Sequence, residues 1–215
     1  MSSFSDRARV RRNAARGVYD LEKITAILDS NQVCHAAYVE AGEPRIIPTL
    51  YMRRGDHVYL HGNRQAALLR HLGGGGLGCI SVMSVEGVVV ARSGFHCSMN
   101  YHSVVLFGYG EIVPADEHEA VLNAFVQALV PGHERQVRRP TEQELSATTA
   151  VRVRIDEASA KIRTGPPIDD VMDLNSAVWA GVIPLATQAL EPIAAPNLSD
   201  EIDVPAYIRE YGDPR

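Results

Sequence analysis

Leu77-Gly78-Cys79-Ile80-Ser81-Val82-Met83-Ser84 and Val88-Val89-Val90-Ala91-Arg92-Ser93, hinged at Glu86-Gly87, are two long runs of strand-forming residues. A third run, residues 103–113, follows the crowded polar and aromatic stretch Gly94-Phe95-His96-Cys97-Ser98-Met99-Asn100-Tyr101. It contains Gly108 and Gly110, which mark bulges or places where another backbone comes close. With no helix between them, the three runs predict neighbouring antiparallel strands.

Working outward, residues 33–40 and 44–52 are strand-like and joined by a short turn at Ala41-Gly42-Glu43. Pro48 cannot donate to a ladder, so its strand is predicted to lie at an edge there. After a turn at Arg53-Arg54-Gly55-Asp56, residues 57–61 alternate, with Val58 and Leu60 on one face and His57, Tyr59 and His61 on the other. A two-turn helix carrying Leu68, Leu69 and Leu72 stops at the four glycines 73–76. Upstream, Leu21, Ile24, Ile27 and Leu28 recur at helical spacing behind Asp20 as N-cap. Downstream, Asp116 with Glu119 reads as a capping box for a helix with the face Val121, Phe125, Ala128 and Leu129. Thr141 with Glu144 repeats that signal, and residues 147–155 read as the final strand. The expected fold is mainly β (α+β): a closed or nearly closed barrel of about six antiparallel strands with peripheral helices, and no internal repeat.

Five arginines lie between Arg7 and Arg16, with Asp6 the only acid before Tyr19. Three readings stay open for this basic stretch: a transit peptide, an arm that crosses a partner or holds phosphates, and a solvated terminus. Residues 190–215 are rich in Pro, Asp and Glu and read as an irregular tail. The organisation expected is one domain over about residues 1–185, with a basic arm over about 1–18, and a tail over 186–215. The 215 residues are 46% hydrophobic and 22% charged, enough for an ordinary core and against wholesale disorder. A net charge of −5 argues against a nucleic-acid footprint. No apolar run reaches membrane-spanning length. Cys34, Cys79 and Cys97 form neither a disulfide framework nor a Cys-x-x-Cys pair, which fits a reducing cytoplasm.

Hydrolase and nucleotide-loop signatures are absent: there is no Gly-x-Ser-x-Gly, Gly-x-x-x-x-Gly-Lys or Gly-x-Gly-x-x-Gly. His57 and His61 share a strand face, but four strand residues separate them by about 13 Å, too far for one zinc. His96, Cys97 and His102 lack a completing carboxylate, so no metal site is expected. Haem needs only one axial histidine and stays open. Besides 44–51 and 91–101, two stretches stand out. Tyr59-Leu60-His61-Gly62-Asn63-Arg64 runs from strand through glycine into helix, a junction expected to point free amides at a phosphate. Lys161-Ile162-Arg163-Thr164-Gly165-Pro166-Pro167, followed by Val178-Trp179-Ala180-Gly181, carries two cations and the one tryptophan. Structural roles for Tyr59, His61, Trp179, Lys161 and Arg163 stay open beside these.

Together these blocks resemble the FMN-binding split-barrel superfamily of pyridoxamine 5'-phosphate oxidase-like proteins, in its flavin-nucleotide-binding branch related to nitroimidazole-resistance proteins. Arg11-Arg12, Arg16-Gly17-x-Tyr19-Asp20, Ile47-Pro48-Thr49-Leu50-Tyr51 and Tyr59-Leu60-His61-Gly62 carry the likeness first. It continues through Ala91-Arg92-Ser93-x-Phe95-His96-x-Ser98-Met99-Asn100-Tyr101, Lys161-x-Arg163-x-Gly165-Pro166-Pro167 and Trp179-Ala180-Gly181.

The resemblance implies a homodimer with FMN at its interface and redox chemistry on a small organic substrate through flavin N5. It implies that backbone near Pro48, Thr49 and Tyr51 borders the isoalloxazine and that His61, Gly62 and Asn63 approach the ribityl phosphate. It also implies that Asn100, Tyr101, Lys161 and Trp179 complete the site, with the second subunit an open source for them. The basic arm, part of the resemblance, is expected to persist in the mature chain. Where the family places a serine and a cation on the first helical turn, this chain has Ala66-Ala67. That leaves Arg64 or Arg70 as substitutes and makes weaker FMN binding, improved by Ala67→Arg, the expectation. The alternatives are a haem protein with His61, His96 or His102 as axial ligand, and a flavin carrier or sensor without catalysis.

Overall fold

Side-chain alternation along the chain becomes a set of ten strands and five α-helices among the described residues, which are 6–199 and 201–212 of a computed structural model. The first five residues of the basic arm, and 200 and 213–215 of the tail, lie outside them. In chain order the elements are β1 (Gly17–Val18), α1 (Leu21–Asp29), β2 (Val33–Glu40), β3 (Glu43–Leu50), β4 (Met52–Arg54), β5 (His57–Asn63), α2 (Ala67–Gly73) and β6 (Leu77–Val90). There follow β7 (Ser98–Ile112), α3 (Ala115–Leu129), α4 (Glu142–Ala147), β8 (Thr148–Arg154), β9 (Glu157–Arg163), β10 (Gly181–Pro184) and α5 (Ala206–Arg209).

All pairings are antiparallel, in the order β3-β2-β6-β7-β8-β5-β4, with β9 between β7 and β1 and β10 on β6. The fold is thus the mainly β, antiparallel split barrel expected. The long β7 joins its two halves, because Tyr101 to Phe107 pair with β9 while Gly110 to Ile112 pair with β8. The runs 77–84 and 88–93 are largely one strand: the register shift between Val85 and Gly87 is a bulge that bends β6 without ending it. β3 is an edge strand, as Pro48 required, and its hairpin with β2 turns on Ala41 at φ +51° and Gly42 at φ +82°.

The barrel interior is filled by the inward face of each strand, including Val58, Leu60, Ile80, Val82, Val104, Leu106, Val151 and Val153, all at or below 1% exposure. α1 adds Ile24, Ile27 and Leu28, and α2 adds Leu68, Leu69 and Leu72. Each such aliphatic side chain contributes roughly 1.5–3 kcal/mol by leaving water. A second cluster forms outside the barrel, where α3 lays Val121 and Phe125 on Met52, Tyr59, Val113 and Ala150. Both faces of β5 are therefore covered.

Two local expectations change. The capping box at Asp116 and Glu119 does not form, because Pro114, at φ −55°, occupies the N-cap and starts α3 at Ala115. Asp116 sits in the first turn instead. The box at Thr141 and Glu144 is present. Residues 148–154 are not the last strand, since β9 and β10 follow. β9 lacks the usual run of β-branched residues; Ala158 and Ala160 are small because α1 packs across their face.

Candidate functional site

Registers across five strands place residues on one outer sheet face. Pro48, His35, Ser81, Val105 and Ser159 form one row across β3, β2, β6, β7 and β9. Met83, Ser103 and Lys161 form the next, and Val85, Tyr101 and Arg163 the one after. Pro48, Tyr101 and Lys161 thus share a face. Thr49 lies opposite Cys34 and faces the other way, so Pro48 and Thr49 cannot both present side chains to one ligand. Tyr51 is buried in the barrel core, its hydroxyl donating to the Leu28 carbonyl, which leaves only its backbone beside any ligand.

At one end of that face lies a groove of about 1260 Å³. Val33, His35, Leu50 and Met83 line it from the barrel, Leu122, Phe125, Val126 and Leu129 from α3, and Ala189, Tyr207 and Tyr211 from the tail. The tail is tied down where the Tyr211 hydroxyl accepts from Gln32 Nε2 at 3.1 Å and where the Tyr207 hydroxyl lies 3.0 Å from His133 Nδ1. His61 enters the groove from β5, half-buried, its ring 4.1 Å from that of Phe125 between centroids. Its Nδ1 is buried and has no hydrogen-bond partner among the described residues, and the same is true of His118 Nε2 on α3. Burial, and after it the charge of His118, push the His61 pKa below 6.5 and keep the imidazole neutral. His118 was missed in the sequence, although its spacing of three from Val121 and seven from Phe125 extends the same helical face.

This has a consequence for stability. With a folded pKa below the unfolded one, His61 resists protonation, so stability is full above pH 6.5 and declines as pH falls below it. Chemical denaturation between pH 7.5 and 5 should show a shallower decline for His61→Gln than for the parent chain; equal slopes would refute this.

In the strand-to-helix junction after His61 three amides are used internally, while α2 begins at Ala67 without a side-chain cap. Arg64 N donates to Ala147 O, Gln65 N to Asn63 Oδ1, and Ala66 N to Asn63 O. Ala66 and Ala67 are partly buried against the core, so an arginine at 67 would have to carry its charge outward past that packing. At Gly62 a Cβ would lie 3.3 Å from Leu69 Cδ1, a tight but yielding contact. Arg64 is exposed.

Asn100, Tyr101 and Lys161 lie on adjoining strands, apart from the groove's lining. Asn100 is buried and spent on structure, accepting from Arg163 Nη1 and donating to Gly165 O at 3.2 Å. Arg163 also donates to Pro166 O, while Arg92 holds Asp169 through its backbone N at 2.8 Å and Nη1 at 2.7 Å. The two motif stretches 91–101 and 161–170 are therefore bound to each other. Trp179 is 63% exposed and rests over Gly181, which pairs with Val90 just before the first of these stretches.

The family model for pyridoxamine 5'-phosphate oxidase matches residues 20–162. The flavocytochrome Anf3 from Azotobacter vinelandii has 36% identity and a TM-score of 0.90, with 96% of each chain covered. An FAD and haem binding protein from Mycobacterium smegmatis has 34% identity and a TM-score of 0.87, over 90% of this chain and 96% of that one. A putative 5-nitroimidazole antibiotic resistance protein from Bacteroides thetaiotaomicron shares the fold at 17% identity and a TM-score of 0.56, over 68% of this chain and 86% of that one. No curated protein matches the chain.

Proposed function

Since the chain belongs to the pyridoxamine 5'-phosphate oxidase family, we propose that it is a homodimeric oxidoreductase that binds a flavin and a haem and acts on a small organic substrate. The observation that carries the reading is His61, packed on Phe125 in a large, largely apolar groove, with an Nδ1 that has no hydrogen-bond partner among the described residues; burial favours its neutral form. A neutral imidazole is what an iron centre needs from its axial ligand. Two structures above one-third identity, one named a flavocytochrome and the other an FAD and haem binding protein, support both cofactors.

Bound flavin supplies hydride or single-electron transfer, and bound haem supplies single-electron chemistry at iron. The chain's own residues would do the rest. His61 would hold the iron, with Phe125 packed on its ring to fix its orientation and His118 nearby helping to keep it neutral. Leu50, Met83, Leu122 and Val126 would exclude water, and the tail would close the groove through Tyr207 and Tyr211. The outer sheet face carrying Tyr101 and Lys161 would take the flavin.

Support for a second copy comes from apolar side chains left in water. Ile168, Val171, Met172, Trp179, Leu190 and Ile193 are between 63% and 96% exposed, the first three beside Asp169, which Arg92 clamps to the sheet. The compartment proposed is the cytoplasm, where Cys34, Cys79 and Cys97, unpaired among the described residues, stay reduced. No helix among the described residues is long and apolar enough to cross a membrane.

Purified protein supplied with flavin and haemin should show a flavin band and a Soret band in one species of twice 23.5 kDa by light scattering. A 23.5 kDa species that keeps its cofactors at micromolar concentration would refute the dimer. Absence of both bands after reconstitution would refute the cofactor reading.

A further inference from the structure

The described part of the basic segment expected as an arm, from residue 6 on, is held against the sheet. Arg7 makes two bonds to the Glu157 carboxylate at 2.9 and 3.0 Å and lies over the Phe107 ring. Ala8 is buried, Val10 N donates to the Tyr19 hydroxyl at 2.9 Å, and β1 pairs with β9 at Gly17 and Lys161. Between this segment and the outer sheet face lies a second groove of about 270 Å³.

Charge in that groove is one-sided. Arg7 is committed to Glu157 and Arg11 to Asp6. Arg9, Arg12 and Lys161 also line it, and none of them has a carboxylate within ion-pair distance among the described residues. Ser103 and Ser159 add hydroxyls to its floor. Arg16 is close enough to oppose the charge of Arg163, whose pKa is held below the ordinary arginine value first by burial and then by Arg16. On a chain of net charge −5, so many cations on a rigid frame repel one another unless an anion offsets them.

We propose that this groove binds a diphosphate, with Arg9, Arg12 and Lys161 as its ligands, and that it takes the diphosphate of the flavin dinucleotide. The second part rests on the flavin reading above. Lys161 and Met83 flank Ser103 in one row, so the groove lies about 10 Å from a wall of the large one on the same face. One extended ligand reaches both.

The test uses the full chain and the double variant Arg9→Gln/Arg12→Gln, whose side chains are exposed and leave the core untouched. Binding of FAD, FMN and riboflavin is followed by fluorescence, and binding of inorganic pyrophosphate by calorimetry. The variant should lose about 100-fold in FAD and pyrophosphate affinity, at roughly one decade per charge-assisted contact, with riboflavin unchanged. Haem uptake should also be unchanged.

Pyrophosphate binding that is lost in the variant, with no flavin bound by either protein, would overturn the flavin reading and keep the diphosphate site. Competition with pyrophosphate by a reduced nicotinamide dinucleotide but not by FAD would keep the site and overturn its assignment to flavin. Equal FAD and pyrophosphate affinities in the two proteins would overturn the site itself.

Discussion

Substitution of His61 by alanine is expected to abolish the Soret band of the haem-loaded protein while leaving its flavin band in place. The imidazole stands in the wall of the large groove, held against Phe125 at 4.1 Å and kept neutral by burial and His118. Loss of a second-shell partner already costs 10- to 100-fold in metal affinity, so loss of the ligand should cost about 100-fold or more. His35 lines the same groove from β2 and serves as the control: His35→Ala should keep haem. Exogenous imidazole should restore part of the band in His61→Ala, because the truncated side chain leaves space for it. If His35→Ala loses the band and His61→Ala keeps it, the axial assignment moves to His35.

The second large effect is on stability. Gly110→Val should destabilise the chain by about 3 kcal/mol, measured as a lower denaturation midpoint with an unchanged slope. A Cβ at 110 would sit 2.5 Å from the Leu72 carbonyl oxygen and 2.6 Å from the Leu72 Cβ. Neither is the far end of a flexible side chain, so α2 or β7 must move. The same contact is held by the bond from Gly110 N to Gly76 O at 3.1 Å. Gly94→Ala is the matched control, since no atom lies within 4 Å of its Cβ position, and it should stay within about 0.5 kcal/mol of the parent. A parent-like midpoint for Gly110→Val would show that α2 is not wedged against β7.

Much of the fold was legible because its causes are local. Asp20 caps α1 through Lys23 N, and the box at Thr141 and Glu144 opens α4, each within one helical turn. Pro48 marked an edge strand, and Gly108 and Gly110 marked close approach. Where a local rule failed, another local rule outranked it: Pro114 displaced the cap expected at Asp116. β9 escaped notice because its small residues answer to α1, a neighbour far away in sequence.

By itself the sequence determined which residues form strands and helices, and which face of each is apolar. Backbone sterics and side-chain period act over a few residues, and they need no partner to be read. Only the tertiary structure decided which polar groups meet. Asn100 is spent on Arg163, 63 residues away, and Arg7 on Glu157, 150 residues away. The same packing set His61 beside Phe125 and His118, and left Arg9, Arg12 and Lys161 without a carboxylate partner among the described residues. Whether a cation or an imidazole is free to bind depends on what the fold places within about 4 Å of it, and that follows from the register of strands far apart in the chain.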